Sequence, residues 1–119
     1  MTDPRAEPTL FERIAAREIP ARIVAETDRV IAFHDIAPQA PVHVIVTPRE
    51  GRHRDVVELA AADPELLAEL VAVAKRIADD LTDGEFRLIF NTGEGAGQTI
   101  FHVHAHLLGG GLREGSLAG

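Results

Sequence analysis

The 119-residue chain carries 12 basic and 19 acidic side chains for a formal net charge of −7, is 45% hydrophobic and has no cysteine. That length suits one domain with a buried core, the missing thiols exclude disulfide and thiolate chemistry, and an acid excess with Lys75 as the only lysine excludes a general nucleic-acid binder. No apolar run approaches the roughly 18 residues of a membrane span, and residues 1–8 show no signal-peptide pattern, so a cytoplasmic protein with neither membrane nor nucleic-acid partner is expected.

Residues 1–8 read as a flexible polar leader and residues 9–110 as the folded domain. Thr9-Leu10-Phe11-Glu12 has the form of a capping box and starts a short helix that stops before Pro20. Residues 21–25 and 29–34 are β-branched stretches joined as a hairpin by Glu26-Thr27-Asp28. A two-proline loop over 35–41 leads to a third strand, 42–47, that ends at Pro48. Residues 55–61 suit a short helix. Asp63 as N-cap and Pro64 at the first helical position then introduce the longest helix, 65–81, whose Leu66, Leu67, Leu70, Val71, Ala74, Ile77 and Leu81 repeat at helical spacing.

Asp83-Gly84 ends that helix, 86–91 reads as a fourth strand, 92–99 as a loop with Gly93, Gly95 and Gly97, and 100–108 as a fifth strand before a partly ordered tail over 111–119. Hairpin-length links predict an α+β fold: a five-stranded antiparallel sheet with one long and one or two short helices. Leu66, Leu70, Val73 and Ile77 offer more apolar surface than so small a sheet covers, which predicts a dimer.

The chemistry concentrates in His102-Val103-His104-Ala105-His106. On a strand, alternate residues share a face, so the three imidazoles would form a row while Phe101, Val103, Ala105 and Leu107 point to the core. Scattered surface histidines are the plainer alternative. A metal site is the other: same-face neighbours lie about 7 Å apart at Cα and the outer two about 13 Å, so a single ion reaches two of them and needs His43 or Asp35 to complete its shell. The glycine loop that runs through Gln98 and Thr99 into the row favours a different use. Its N–H groups can turn toward an anion, and a phosphate held there would sit beside a neutral imidazole, which is a competent nucleophile at phosphorus.

Gln98-Thr99-Ile100-Phe101-His102-Val103-His104-Ala105-His106-Leu107-Leu108 resembles the His-x-His-x-His-x-x signature, apolar at x, of the histidine triad superfamily. Glu18-Ile19-Pro20-Ala21, the run Ala32-Phe33-His34-Asp35-Ile36-Ala37-Pro38-Gln39-Ala40-Pro41 with Val42-His43 after it, and Asn91 are similar to its nucleotide-binding branch. The resemblance spans roughly residues 10 to 110.

It implies a homodimer joined through the long helix and the fourth strand into one continuous sheet, a purine nucleotide (AMP- or GMP-type) in a cleft near the sheet surface, and no cofactor or metal. His104 would be the nucleophile. His106 would bind phosphate near the leaving group, and His43 and His102 would form an imidazole chain behind His104. Asn91, Gly97 and Thr99 would contact phosphate oxygens, with Gln98 beside them in the substrate site. Phe11, Ile14, Ile19, Phe33, His34 and Ile36 would wall the base pocket, and Asp35 would accept from the ribose hydroxyls.

Without the resemblance, Ile14, Ile19, Phe33 and Ile36 read as plain core and Asp35 equally as a turn residue, while His53 reads as a solvated loop residue and not a ligand. This chain has Thr99 where the branch usually has serine, lacks the aromatic-proline ending of the animal members, and has Gly51 where a histidine often follows the third strand, with no catalytic consequence expected of that glycine. The implied activity is hydrolysis of a purine nucleoside 5′-phosphoramidate or aminoacyl-adenylate. Histidine at 106, where transferase relatives carry glutamine, implies water as the final acceptor. Dinucleoside polyphosphate hydrolysis is a second enzymatic reading, and a non-catalytic adenine-nucleotide sensor or scaffold a reading of another class.

Overall fold

The computed structural model describes residues 7–113; the expected leader (1–8) and tail (111–119) fall mostly outside them. Thr9 caps α1 (Leu10–Ala15) reciprocally: its hydroxyl accepts from the Glu12 N–H and the Glu12 carboxylate accepts from the Thr9 N–H. A cap of this kind contributes about 1 kcal/mol and, more to the point here, fixes the angle at which Phe11 and Ile14 enter the core. The hairpin of β1 (Ile23–Glu26) and β2 (Val30–His34) turns where the Thr27 hydroxyl accepts from the Val30 N–H. After β3 (Val42–Pro48) come α2 (Val56–Ala62) and α3 (Pro64–Leu81), the latter capped by Asp63 with Pro64 in its first turn. β4 (Arg87–Ile89), a 3₁₀ turn at Glu94–Ala96 and β5 (Ala105–Gly109) complete the chain.

The strands form one sheet in the order β1-β2-β3-β5-β4 with every neighbouring pair antiparallel. This is the α+β architecture expected. Register divides the sheet into two unlike faces. Val44 pairs with Leu107 and Val46 with Ala105, and these, with Val30, Ala32 and Val103, are buried together with the apolar side of α3. On the other face Phe33 pairs with Ile45 and Ile45 with His106, and Phe11 and Ile14 of α1 close over Phe33 and Ile45 as a smaller cluster. The large face supplies most of the stability; the small one carries the histidines.

Three expectations change. The fifth strand begins at Ala105, not at residue 100, so His102 and His104 precede it. The ladder stops because the register, Val46 opposite Ala105, would next bring Val103 opposite Pro48, which has no N–H to donate. The Val103 N–H instead donates to the His53 carbonyl at 2.9 Å, and the buried Thr47 hydroxyl donates to the Val103 carbonyl at 2.8 Å. The fourth strand shortens from 86–91 to Arg87–Ile89. Finally, Leu66, Leu70, Val73 and Ile77 are buried inside the single chain, so they leave no apolar excess to demand a partner; the large apolar residues that α3 does expose are Val71 and Leu81.

Candidate active site

Each imidazole is held differently, and the partners assign its protons. His102 is fully buried. Its Nε2 lies 2.7 Å from the Pro48 carbonyl, which can only accept, so Nε2 carries the proton. Its Nδ1, 2.6 Å from the Thr9 hydroxyl, is then the acceptor. His104 places Nδ1 2.8 Å from the His102 main-chain carbonyl; Nδ1–H donates there, leaving the lone pair on Nε2. The Phe11 ring packs against both in T-shaped contacts, at centroid distances of 5.3 Å to His102 and 4.8 Å to His104.

His43 and His106 are placed by the ladder. His43 lies opposite Leu108 and Ile45 opposite His106, so His43 and His106 are diagonal neighbours on one face. The Gln39 N–H donates to His43 Nδ1 at 3.0 Å, which puts the remaining proton on Nε2; that proton is donated to His106 Nδ1 at 2.9 Å. His106 therefore carries its own proton on Nε2. One Asp35 oxygen accepts from the Ala37 N–H and the other lies 3.5 Å from His43 Nε2, so Asp35 shapes the turn and also faces the histidines. The His104 and His106 rings meet edge-on at 5.2 Å.

Burial keeps the whole group neutral. It pushes His102 below the ordinary histidine value against the opposing pull of the Pro48 carbonyl and the Glu12 carboxylate, and pushes His104 down against the His102 carbonyl and Asp35. His43 is lowered by burial against Asp35. His106 falls to about 4, through burial first and then the neighbouring His104 and His43. A neutral His104 with a free Nε2 lone pair is the protonation state that a nucleophile requires.

These contacts revise the expected imidazole chain. His43 bonds to His106 and not toward His104, and His102 reaches His104 only through its main-chain carbonyl, both of its ring nitrogens being engaged elsewhere. Fully enclosed, His102 positions His104 and cannot itself touch a substrate. Sequence reasoning missed the Pro48 carbonyl and the Gln39 N–H, which hold these rings through main-chain atoms that no residue type advertises.

Asp35, His43 and His106 present ligand atoms within 4.8 Å of one another, the cluster a metal would use. The donor set does not fit one. With the Gln39 N–H on His43 Nδ1, metal ligation at Nε2 would need an imidazolate or the loss of that hydrogen bond.

The glycine loop also differs from expectation. The N–H groups of Ala96, Gly97 and Gln98 bond back to Gly93 and Glu94, so these three amides close the loop on itself and are not turned toward an anion. Gly97, at φ 92°, makes the left-handed turn this closure needs. Gln98, expected at the substrate, is buried: its side chain accepts from the Gly93 N–H and donates to the Arg54 and Ile100 carbonyls, fastening the loop to the body of the protein. Asn91, half-buried, and Thr99, exposed, flank that fastening.

Among the expected wall residues, Phe11, Ile14 and Phe33 are buried in the small cluster with Ile19 packed against it. Ile36 is 98% exposed, beside Asp35. His34 pairs with Val44, whose side chain belongs to the α3 face, so register carries His34 away from the face of His43 and His106. His53 is half-buried and contributes its carbonyl to Val103.

An antiparallel α+β sheet with clustered neutral histidines beside a glycine loop defines a class that the comparisons then specify. The HIT domain family model matches residues 16–111, and the chain belongs to the HIT family. An uncharacterised HIT-like protein of Synechocystis sp. is 50% identical over 109 residues, covering 88% of this chain and 92% of the relative. The purine nucleoside phosphoramidase of Escherichia coli is 41% identical over 107 residues, covering 88% of this chain and 89% of the enzyme. A HIT family hydrolase structure from Clostridium thermocellum superposes with a TM-score of 0.82 at 42% identity, covering 91% of this chain and 97% of that one.

Proposed function

We propose that this chain is a cytoplasmic hydrolase of purine nucleoside 5′-phosphoramidates, acting through a nucleotidyl-His104 intermediate. The observation that carries this reading is the His104 Nδ1–H bond to the His102 carbonyl, which leaves the Nε2 lone pair of a half-buried ring unprotonated. The similarity to the Escherichia coli phosphoramidase supports the substrate class.

In the first step His104 Nε2 bonds to the α-phosphorus and the P–N bond breaks, the amine leaving with a proton supplied from solvent through the Thr99 hydroxyl, while neutral His106 keeps its Nε2–H as a hydrogen-bond donor to the phosphoryl group. In the second, water adds its oxygen to phosphorus as the P–Nε2 bond breaks, its proton returns to solvent, and the nucleoside monophosphate departs. The base would lie against the exposed Ile36 and the rim formed by Ile19, Phe33 and Phe11, with Asp35 taking the ribose hydroxyls and Asn91 and Thr99 the phosphate.

The reading includes a homodimer formed edge to edge at β4, the outermost strand beside β5, since an unpaired strand edge is a template for pairing with a second copy. Sedimentation at micromolar concentration should give twice 12.8 kDa; a monomer would remove the dimer from the reading. The activity is tested by turnover on adenosine 5′-phosphoramidate beside diadenosine triphosphate. Faster cleavage of the phosphoramidate is expected, and faster cleavage of the dinucleotide would transfer the protein to the polyphosphate hydrolases.

A further inference from the structure

Thr9 does two things at once. Its hydroxyl oxygen accepts the Glu12 N–H that caps α1, so the hydroxyl proton is left to donate to His102 Nδ1, 93 residues away in sequence. Glu12 extends the same tie: one carboxylate oxygen takes the Thr9 N–H and the other the Gly51 N–H. Gly51 lies against the pair. A Cβ built on it would stand 3.0 Å from both His102 Nδ1 and Thr9 Cγ2, so a larger residue must displace either the ring or the threonine. Glycine at 51 thus has a packing role that the sequence alone does not show.

We propose that Thr9 is a positioning residue for the reaction: by donating to His102 Nδ1 it fixes that ring in its Nε2–H form on the Pro48 carbonyl, and so holds the His102 main-chain carbonyl where it orients His104. The inference deepens the hydrolase reading and rests on it only for the kinetic part of its test. A ring with one nitrogen bonded to a carbonyl that cannot move and the other to a hydroxyl that must donate has a single neutral arrangement. Remove the donor and Nδ1 is a buried acceptor without a partner, which favours rotation of the ring or uptake of a second proton. The charged and titratable groups facing His102 are the Glu12 carboxylate on α1 and the His104 imidazole; the carboxylate favours that second proton and His104 opposes it. Either change moves the carbonyl on which His104 Nδ1–H depends. The start of α1 is thus tied to the reacting centre through a hydrogen bond as well as through the Phe11 ring.

The test separates capping from donation. Thr9→Ser keeps both roles, Thr9→Val loses both, and Thr9→Asp keeps the cap acceptor while having no proton to give at neutral pH. The full chain, ¹⁵N-labelled at histidine and without ligand, is read by NMR for the tautomers of His102 and His104, and each variant is assayed on adenosine 5′-phosphoramidate. Thr9→Ser should match the wild type. Thr9→Asp should keep the wild-type helicity, with a lowered melting temperature, yet lose the neutral Nε2–H signature of His102 and shift the His104 Nδ1–H resonance, with kcat down about tenfold and KM within about twofold. Thr9→Asp with unchanged His102 and His104 resonances would overturn the proposal, as would altered resonances with unchanged kcat. If the wild-type protein cleaves no phosphoramidate, the hydrolase reading fails separately, and the two resonances alone decide whether Thr9 sets the tautomer and the His104 bond.

Discussion

His102 with His104, and His43 with His106, are two pairs built by opposite means. The second pair stands on the β3–β5 ladder, where register alone makes the rings diagonal neighbours and a direct imidazole–imidazole bond joins them. The first pair lies ahead of the ladder, in a segment that Pro48 keeps from pairing, and is held by single hydrogen bonds to a carbonyl, a hydroxyl and a neighbouring main chain. A ladder brings two imidazoles into direct hydrogen-bonding contact. The segment outside it can aim one nitrogen lone pair, because its peptide groups are not committed to a neighbouring strand.

The sharpest way to break this comparison is to remove one ring from each pair. His104→Asn should lower kcat by at least about a thousandfold while affinity for the product monophosphate changes by less than about tenfold, since only the attacking atom is lost. His106→Asn should lower kcat less and weaken phosphate affinity as well, because a donor to the ligand is lost. Equal losses of rate and affinity in the two variants, measured by steady-state kinetics and product titration, would erase the difference between the pairs.

Acid sharpens the comparison next. The folded protein keeps His106 neutral down to about 4, whereas in the unfolded chain it takes up a proton near the ordinary 6.5. Unfolded chains therefore bind more protons across that interval, so stability is full above about pH 6.5 and declines as the pH falls toward 4. The lowered His43, His102 and His104 act in the same direction. Glu26, held below 4.5 by Arg17 and Arg49, and Asp63, held below 3.8 chiefly by Arg29, add their losses only at lower pH. The urea midpoint should fall between pH 6.5 and 4.5, and a midpoint that stays level there would contradict a neutral cluster. Turnover should likewise persist below the ordinary histidine value of about 6.5, because burial lowers His104. The smallest expected effect is that of a strong chelator: with His43 Nδ1 occupied by the Gln39 N–H, dialysis should leave turnover unchanged, and loss with recovery on adding zinc would restore the metal reading.

Local signals made most of the fold legible. The Thr9 capping box, Asp63 with Pro64, and the turn residues between strands act within a few positions of themselves, and each element they announce is present. The alternation of residues 102–106 correctly put Val103 and Ala105 into the α3-side core. What sequence could not supply was register. Whether His43 meets His104 or His106, whether His34 faces the site, and where the last strand starts all depend on which residue lies opposite Pro48 and Ile45, and one sequence does not state that pairing. Gln98 was misplaced for a related reason, since a glutamine beside a glycine loop looks the same whether its amide meets a ligand or the Arg54 carbonyl.

The stereochemical course at phosphorus tests the central claim most directly. A purine nucleoside phosphoramidate made chiral at phosphorus with one sulfur is hydrolysed in ¹⁸O-water, and the configuration of the monophosphorothioate product is read by ³¹P NMR. Attack by His104 Nε2 followed by attack of water on the nucleotidyl-histidine inverts the centre twice, so the account predicts overall retention. Overall inversion would mean that water attacks phosphorus directly, and His104 would then be no nucleophile.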